Sequence, residues 1–222
     1  MKIYNTFLFD ADGTLLDTVD LIVKCFEYTL SHYKVKIPER SEIVSHIGIP
    51  FRNQISIYFG ELDESKAEEI WDFYREYQLQ HYMDYIKLFP GTIETLTQLK
   101  KRGAKIAVVT SRKHNTLDLF LKQLSIFDMF DAIITPDDVS KPKPDAEPTL
   151  KALSDLDSLA EESLFIGDAV YDRISAEQAK VDFALVSWTH IPVNHFKPAP
   201  EIILENMDDI LSLSGNIDEV LK

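Results

Sequence analysis

Short apolar runs recur along this chain, and polar residues directly follow three of them. Five runs predict buried strands: Ile3–Phe9, Ala104–Val109, Ala132–Ile134, Leu164–Ile166 and Phe183–Val186. Each is nearly continuous in hydrophobicity, as strands are when helices cover both faces of a parallel sheet. Helical patterns separate the runs, so we predict an α/β fold with a mostly parallel sheet and right-handed crossovers. A weaker run, Ile202–Leu204, predicts an edge strand.

Two of the intervening helices have clear apolar faces. Apolar residues between Leu117 and Leu124 recur at helical spacing. Ile93, Leu96 and Leu99 predict a second helix, and Gly103 is placed to end it.

Residues 16–88 break the alternation of strands and helices, because they contain helical patterns and no good strand. The first pattern runs from Ile22 to Tyr33, and the third runs from Ile70 to Tyr77. Between them we predict one helix through residues 41–58, bent near Gly48 and Pro50. We therefore expect a catalytic core of residues 1–15 and 89–222, interrupted by a helical insertion.

Charge and cysteine content restrict the class of protein. The 222 residues carry a net charge of −14, which argues against a broad nucleic-acid or anionic-membrane surface. A local positive pocket for a small anion remains compatible with that charge. Cys25 is the only cysteine and is expected to be buried, so there is no disulfide or zinc cluster. No apolar stretch is long enough for a signal peptide or a membrane span, and we expect a cytoplasmic protein.

Asp10 and Asp12 follow the first predicted strand, and Gly13 supplies the permissive backbone of a sharp turn. In parallel α/β sheets, ligands bind beyond the carboxyl ends of the strands. One carboxylate there can attack phosphorus to form an aspartyl phosphate, while the other serves as general acid and then as general base. Asp and Gly are also common in ordinary turns, so this motif alone does not decide the chemistry.

Asp168 and Asp172 follow another predicted strand. Mg²⁺ prefers oxygen ligands and usually keeps waters, so one or two carboxylates and a substrate phosphate suffice to hold it. We interpret Asp168 as a direct ligand and Asp172 as a direct or supporting one. A carboxylate at Asp172 would also suit a helix N-terminus, and the two interpretations are compatible.

Thr110 and Ser111 follow a third strand, where hydroxyl and backbone N–H groups can hold phosphate oxygens. The competing interpretation makes Ser111 a helix N-cap. Lys141 lies in a proline-rich loop, where it could neutralise the charge around the nucleophile and the phosphate. A solvated surface lysine is the alternative, and Lys143 is the less informative of the two lysines.

Four motifs follow one another along the chain: Asp10–Thr14, Thr110-Ser111, Lys141–Pro144 and Gly167–Asp172. Taken together in that order, they resemble those of the haloacid dehalogenase-like superfamily of phosphohydrolases, over nearly the whole chain. The resemblance implies a Rossmann-like core, a cap formed by residues 16–88, a Mg²⁺ cofactor and an aspartyl-phosphate intermediate. It implies that Asp10 is the nucleophile and Asp12 the acid and base. It further implies phosphate binding by Thr110 and Lys141, and a Mg²⁺ site made by Asp10, the Asp12 backbone carbonyl and Asp168, with Asp172 in support.

The branch that the chain resembles holds the phosphoglycolate phosphatases and the bacterial pyrophosphatase PpaX group. Ile47–Arg52 resembles their cap loop, and Phe89–Thr92 resembles the entry to their second core segment. We therefore expect a phosphohydrolase acting on a small phosphorylated metabolite, either a phosphoglycolate-like monoester or pyrophosphate. Gly48 and Arg52 are the candidate substrate-binding residues of the cap, with Arg52 reaching a distal anionic group. Arg112 is a weaker candidate for the same role.

Two positions depart from the usual pattern of this branch. Ser111-Arg112 stands where many relatives have Asn-Lys or Thr-Lys, which bears on substrate identity. Ala179-Lys180 stands where Ala-Gly is usual, which bears on a local turn.

Three other functions are possible on the same fold. A dehalogenase needs no acid two residues after its nucleophile, so Asp12 argues against it. A β-phosphoglucomutase-like isomerase would keep Asp12, but it would usually have a His near Asp17–Asp20 and Glu-Asp in place of Gly167-Asp168. A non-catalytic regulatory protein need not keep four aspartates whose mutual repulsion costs stability without a cation.

Overall fold

The computed structural model describes residues 2–189 and 196–215. Six strands form one sheet in the order β5-β4-β1-β6-β7-β8, and every neighbouring pair is parallel. These strands are β1 (Thr6–Phe9), β4 (Lys105–Val109), β5 (Ala132–Ile134), β6 (Ser163–Gly167), β7 (Asp182–Val186) and β8 (Ile202–Leu204). The predicted Rossmann-like α/β fold is confirmed, and the weak run Ile202–Leu204 is an edge strand.

Strand β1 lies in the middle of the sheet, with β4 on one side and β6 on the other. Phe7 and Phe9 pack into the apolar cluster on one face, while Leu8 packs into the cluster on the other. All three side chains are buried. Because both faces are covered, the strand carries apolar side chains at three consecutive positions, Phe7 to Phe9.

Eight α-helices occur in the described residues. They are α1 (Val19–His32), α2 (Arg40–Ser45), α3 (Phe51–Phe59), α4 (Glu64–Tyr85), α5 (Thr92–Lys101), α6 (His114–Gln123), α7 (Glu147–Asp155) and α8 (Val170–Gln178). Short 3-10 turns occur at Phe127–Met129, Pro136–Asp138, Ala160–Glu162 and Met207–Leu213. None of the helices in the described residues is long and apolar enough to cross a membrane.

The face predicted for α5 is partly wrong. Leu96 and Leu99 are buried, but Ile93 is 43% exposed and the small residues Thr92 and Thr95 take the inner positions. Thr92 belongs on that face because its hydroxyl donates to the Phe89 carbonyl at 2.8 Å. The helix ends at Lys101, and Gly103 follows it with a positive φ of 75°.

The predicted bent helix through residues 41–58 is two separate helices, α2 and α3. Gly48 has a φ of 90°, and Pro50 stands at the N-cap of α3. Proline cannot donate a backbone hydrogen bond, and it disfavours helical backbone in the residue before it. The sequence also missed a two-residue antiparallel ladder, β2 (Leu16–Asp17) with β3 (Lys87–Leu88), which joins the two ends of the helical segment.

Two smaller expectations concern the burial of Cys25 and the turn at Lys180. Cys25 is fully buried in α1, and burial raises the pKa of its thiol to about 12. Lys180 follows α8 with a φ of 60°, so a lysine adopts the left-handed backbone that usually favours glycine. Residues 216–222 of the predicted core lie outside the described residues.

Candidate active site

The carboxyl end of β1 carries Asp10. Its N–H donates to the Ile166 carbonyl at 2.9 Å, which continues the pairing of β1 with β6. The Asp10 carboxylate is buried and accepts a hydrogen bond from the Lys143 ammonium at 2.7 Å. Lys143 also donates to Asp172 at 2.6 Å and to the Val109 carbonyl at 3.0 Å. A single buried lysine therefore connects the ends of β1, β4 and α8.

The expectation that Lys141 serves this site is wrong in its geometry, because Lys143 lies there instead. Lys141 is exposed, and its backbone N–H donates to Glu147 at 2.9 Å. A turn follows, closed by a hydrogen bond from Asp145 N–H to the Pro142 carbonyl at 3.1 Å. Lys143 takes the second position of that turn and is only 2% exposed. Both lysines precede a proline, so local sequence does not distinguish them.

Three aspartates form a buried acidic cluster: Asp10, Asp168 and Asp172. One carboxylate oxygen from each lies within 4.8 Å of the others, an arrangement that could hold a metal ion. Burial raises the pKa of Asp10 to about 7 although Lys143 opposes the shift. Burial and the neighbouring carboxylates raise the pKa of Asp168 well above its usual range. For Lys143, burial would lower the pKa, but Asp10 and Asp172 outweigh it and the pKa is raised.

The charges of this cluster fit a divalent cation. Three carboxylates face one ammonium, which leaves two negative charges uncompensated when all are ionised. Oxygen ligands are also the donors that Mg²⁺ prefers. Asp172 meets the supporting role as well, because one of its oxygens accepts from Lys143 and the other from Ala169 N–H at 3.0 Å, in the first turn of α8.

Gly13 is required by the close approach of this cluster to the turn after β1. A Cβ atom at Gly13 would lie 2.1 Å from an Asp168 oxygen, and the residue has a φ of 82°. Any side chain there would therefore clash with the metal-binding candidate Asp168 and strain the backbone. Asp168 is oriented from the other side by the Thr189 hydroxyl, which donates at 2.7 Å.

Thr110 and Ser111 lie at the end of β4 and line the same cavity as Asp10. Thr110 N–H continues the sheet by donating to the Ile134 carbonyl at 3.0 Å. The Ser111 hydroxyl is buried and has no hydrogen-bond partner among the described residues. Ser111 is not the N-cap of α6, because that helix begins at His114. A buried hydroxyl without a partner, beside the acidic cluster, is suited to an oxygen-rich ligand.

Asp12 faces Arg112 rather than the acidic cluster. The guanidinium donates from Nε to one Asp12 oxygen at 2.9 Å and from Nη2 to the other at 2.7 Å. The Thr18 hydroxyl donates to the second of these oxygens. Arg112 is further held by Gln78 at 3.2 Å, and its guanidinium carbon lies 4.5 Å from the centre of the Phe120 ring.

The helical segment supplies the other wall of the cavity. Gly48 lies there, as predicted for the cap, and a Cβ on it would come within 2.7 Å of Ala169. Sequence analysis missed Gln78, which is 1% exposed and reaches Arg112 from α4. A signal was present: Ala67, Ile70 and Tyr74 form the buried stripe of α4, and Gln78 continues it with a polar group.

The structure does not bring Arg52 to this cavity. Its guanidinium donates to Glu64 at 2.6 Å, its side chain is 54% exposed, and it lines a neighbouring groove instead. The buried residues of α3 are Gln54 and Ile55, whereas the Arg52 side chain extends from the first turn of that helix to Glu64. Arg112, the weaker candidate for contact with a distal anion, is the arginine that lines the cavity.

Fold and site together define a hydrolase family. Residues 7–186 match the family model of haloacid dehalogenase-like hydrolases. The chain belongs to this family, as the four motifs predicted.

Relatives and solved structures agree with that assignment. Pyrophosphatase PpaX of Bacillus mycoides is 35% identical over 221 residues, covering 98% of this chain and 100% of that protein. A haloacid dehalogenase-like hydrolase structure from Bacteroides fragilis is 31% identical with a TM-score of 0.88, covering 93% of this chain and 99% of that chain. A Lactobacillus plantarum structure, assigned by its title to the phosphoglycolate phosphatases, is 27% identical with a TM-score of 0.86, covering 95% and 99%. The expectation of a phosphatase-type hydrolase is confirmed at this level.

Proposed function

We propose that this protein is a Mg²⁺-dependent phosphatase that hydrolyses pyrophosphate or a small phosphate monoester such as phosphoglycolate. The observation that carries the proposal is the buried Asp10 carboxylate, 2.7 Å from the Lys143 ammonium and beside the Asp168–Asp172 pair. The name of the PpaX relative makes pyrophosphate the first substrate to test. The Lactobacillus plantarum structure makes phosphoglycolate the second.

In the proposed mechanism, Asp10 attacks phosphorus and the bond from phosphorus to the leaving oxygen breaks, while Asp12 gives that oxygen a proton. Asp12 then takes a proton from a water molecule, which attacks the aspartyl phosphate, releases inorganic phosphate and restores Asp10. Thr110, Ser111 and Lys143 hold and neutralise the phosphate oxygens during both steps.

Magnesium would be held by Asp10, the Asp12 backbone carbonyl and Asp168, with Asp172 in support, and would neutralise charge on the transferred phosphoryl group. The two positive charges of the ion would balance the two negative charges that Lys143 leaves uncompensated. Positioning and charge stabilisation carry most of the acceleration in phosphoryl transfer, so a buried and prearranged cluster is what the reaction needs.

We also propose that residues 16–88 act as a cap over a core of residues 1–15 and 89–222. The support is the shared cavity, because Gly48 and Gln78 from the helical segment line it together with Asp10 and Thr110. The short ladder of β2 with β3 is the place where the segment leaves and rejoins the core. A cap in this position excludes water from the aspartyl phosphate until the leaving group has gone.

Phosphate release from pyrophosphate, phosphoglycolate and a panel of sugar and nucleotide phosphates tests the proposal. We expect turnover with Mg²⁺, none with EDTA, and none from Asp10→Asn despite an intact fold. Lys143→Met should lose most of its activity, whereas Lys141→Met, the matched control two residues away, should keep it. An Asp10→Asn protein with activity within a few fold of wild type would contradict the nucleophile assignment.

A further inference from the structure

Arg112 holds the carboxylate of Asp12, which the proposed mechanism needs free to serve as acid and base. Both Asp12 oxygens accept from the guanidinium, at 2.9 Å and 2.7 Å, and one of them also accepts from Thr18. The two side chains are 8% and 15% exposed, so the pair is largely shielded from water. A carboxylate held by both oxygens cannot also turn an oxygen toward a leaving group.

Asp12 can leave Arg112 only if another anionic group accepts the hydrogen bonds of the Arg112 guanidinium. Of the described residues that line the cavity, the positively charged ones are Lys143 and Arg112. Lys143 already faces Asp10 and Asp172 at the phosphoryl end. Arg52 is paired with Glu64 outside the cavity, and Lys113 lies 6.0 Å from the Trp71 ring and lines the adjacent groove instead. A second anionic group on a substrate thus meets Arg112.

The surroundings of Arg112 permit a small shift without loss of its other contacts. Gln78 and Thr116 accept from Nη1 at 3.2 Å and 3.4 Å, away from the nitrogens that hold Asp12. The Phe120 ring, whose centre lies 4.5 Å from the guanidinium carbon, attracts the cation without a directional hydrogen bond and so does not fix its position as tightly. An arginine fork binds a carboxylate or a phosphate oxygen pair equally well, so the exchange conserves the type of bond.

We propose that Arg112 is a specificity and positioning residue that exchanges Asp12 for the second anionic group of the substrate. Only a substrate with that group, a carboxylate or a second phosphate close to the transferred phosphoryl, frees Asp12 to serve the leaving oxygen. Recognition of the distal anion thus raises kcat as well as binding. The inference rests on the proposed function and names the substrate class of the same site.

Phosphoglycolate and ethyl phosphate form a matched pair for the test, because a methyl group replaces the carboxylate in the second compound. In wild type we expect the kcat for phosphoglycolate to exceed that for ethyl phosphate. In Arg112→Met the ratio of the two kcat values should fall by about 10- to 100-fold, the range set by one charge-assisted pair. The kcat for ethyl phosphate should fall by less than the kcat for phosphoglycolate, because ethyl phosphate has no second anionic group for Arg112 to bind. The kcat for pyrophosphate should fall in Arg112→Met as the kcat for phosphoglycolate does, because both substrates carry a second anionic group.

Two further variants keep the result interpretable. Arg112→Lys preserves the charge but not the fork, so it should fold as wild type does and lower the kcat ratio by a smaller factor. Arg52→Met should leave the ratio unchanged. Equal losses on both substrates in Arg112→Met and Arg112→Lys, or equal kcat values in wild type, would overturn the exchange while leaving a phosphatase. Absence of phosphate release from every substrate with wild type would instead refute the proposed function.

Discussion

Replacement of Asp10 by Asn should make the metal-free protein more stable at pH 8, although it removes the proposed nucleophile. Burial raises the pKa of Asp10 from 3.8 to about 7, so its ionised form is disfavoured by the fold. A group whose folded pKa is raised contributes stability that is present at low pH and lost as the pH rises through about 7. At pH 8 the wild-type protein therefore bears the full cost of an ionised Asp10, which the amide avoids.

The size of the effect follows from the shift. A rise in the pKa of Asp10 from 3.8 to about 7, at roughly 1.4 kcal/mol for each tenfold change in acidity, corresponds to at most about 4 kcal/mol. For a chain of this length, that corresponds to a rise in Tm of about 10 °C. The gap between the variant and wild type should shrink as the pH falls from 8 toward 5, where Asp10 takes up a proton in the fold.

Thermal unfolding followed by circular dichroism, in EDTA at several pH values and again with saturating Mg²⁺, measures the effect. Saturating Mg²⁺ should reverse the order of stability. The ion binds the wild-type carboxylates and stabilises the fold, whereas the amide that replaces the Asp10 carboxylate in the variant is a poorer metal ligand than a carboxylate. Asp72→Asn is the control, since Asp72 is exposed and lies outside the acidic cluster, where it pairs with its helical neighbour Arg75 at 3.2 Å. A variant with a Tm equal to or below that of wild type at pH 8 in EDTA would refute the reasoning.

Three further outcomes are expected. Lys143→Met should destabilise the metal-free protein by about 3–5 kcal/mol in urea unfolding, because it leaves a buried carboxylate pair without its cation, whereas Lys141→Met should change it by less than about 0.5 kcal/mol. Cys25 should not react with a thiol reagent at pH 8 until the protein unfolds, because burial raises its pKa to about 12. Lys180→Gly should stabilise by about 0.5–1 kcal/mol in the same urea assay, because glycine adopts the observed φ of 60° without steric cost.

The sequence predicted well those parts of the molecule that depend on local apolar patterns and on which residues directly follow a strand. The five main strands, for example β4 at Lys105–Val109, overlap nearly continuous apolar runs, as expected for a sheet covered on both faces. Asp10, Asp168 and Thr110 come together because the carboxyl ends of parallel strands share one edge of the sheet. Neither inference depends on how distant side chains pack.

The errors concern side chains whose direction is set by a turn or by a helix face. Lys141 and Lys143 have the same local sequence, and only the turn closed from Asp145 to Pro142 decides which of them points inward. Arg52 follows the cap loop in sequence, but the rotation of α3 turns it toward Glu64. Motif spacing fixes which segment approaches the site, whereas the direction of a single side chain needs the tertiary structure.

The charged residues in and beside the cavity form two sets that differ in net charge. Asp10, Asp168 and Asp172 outnumber Lys143 and need a divalent cation to become neutral. Asp12 and Arg112 balance each other, so the proposed exchange at this pair needs an added anion and not a cation. In the proposed function, the first set binds the metal and the second responds to the charge of the substrate. Because Gln78 on α4 also holds Arg112, the second set connects the acid at the end of β1 to the helical segment that covers it.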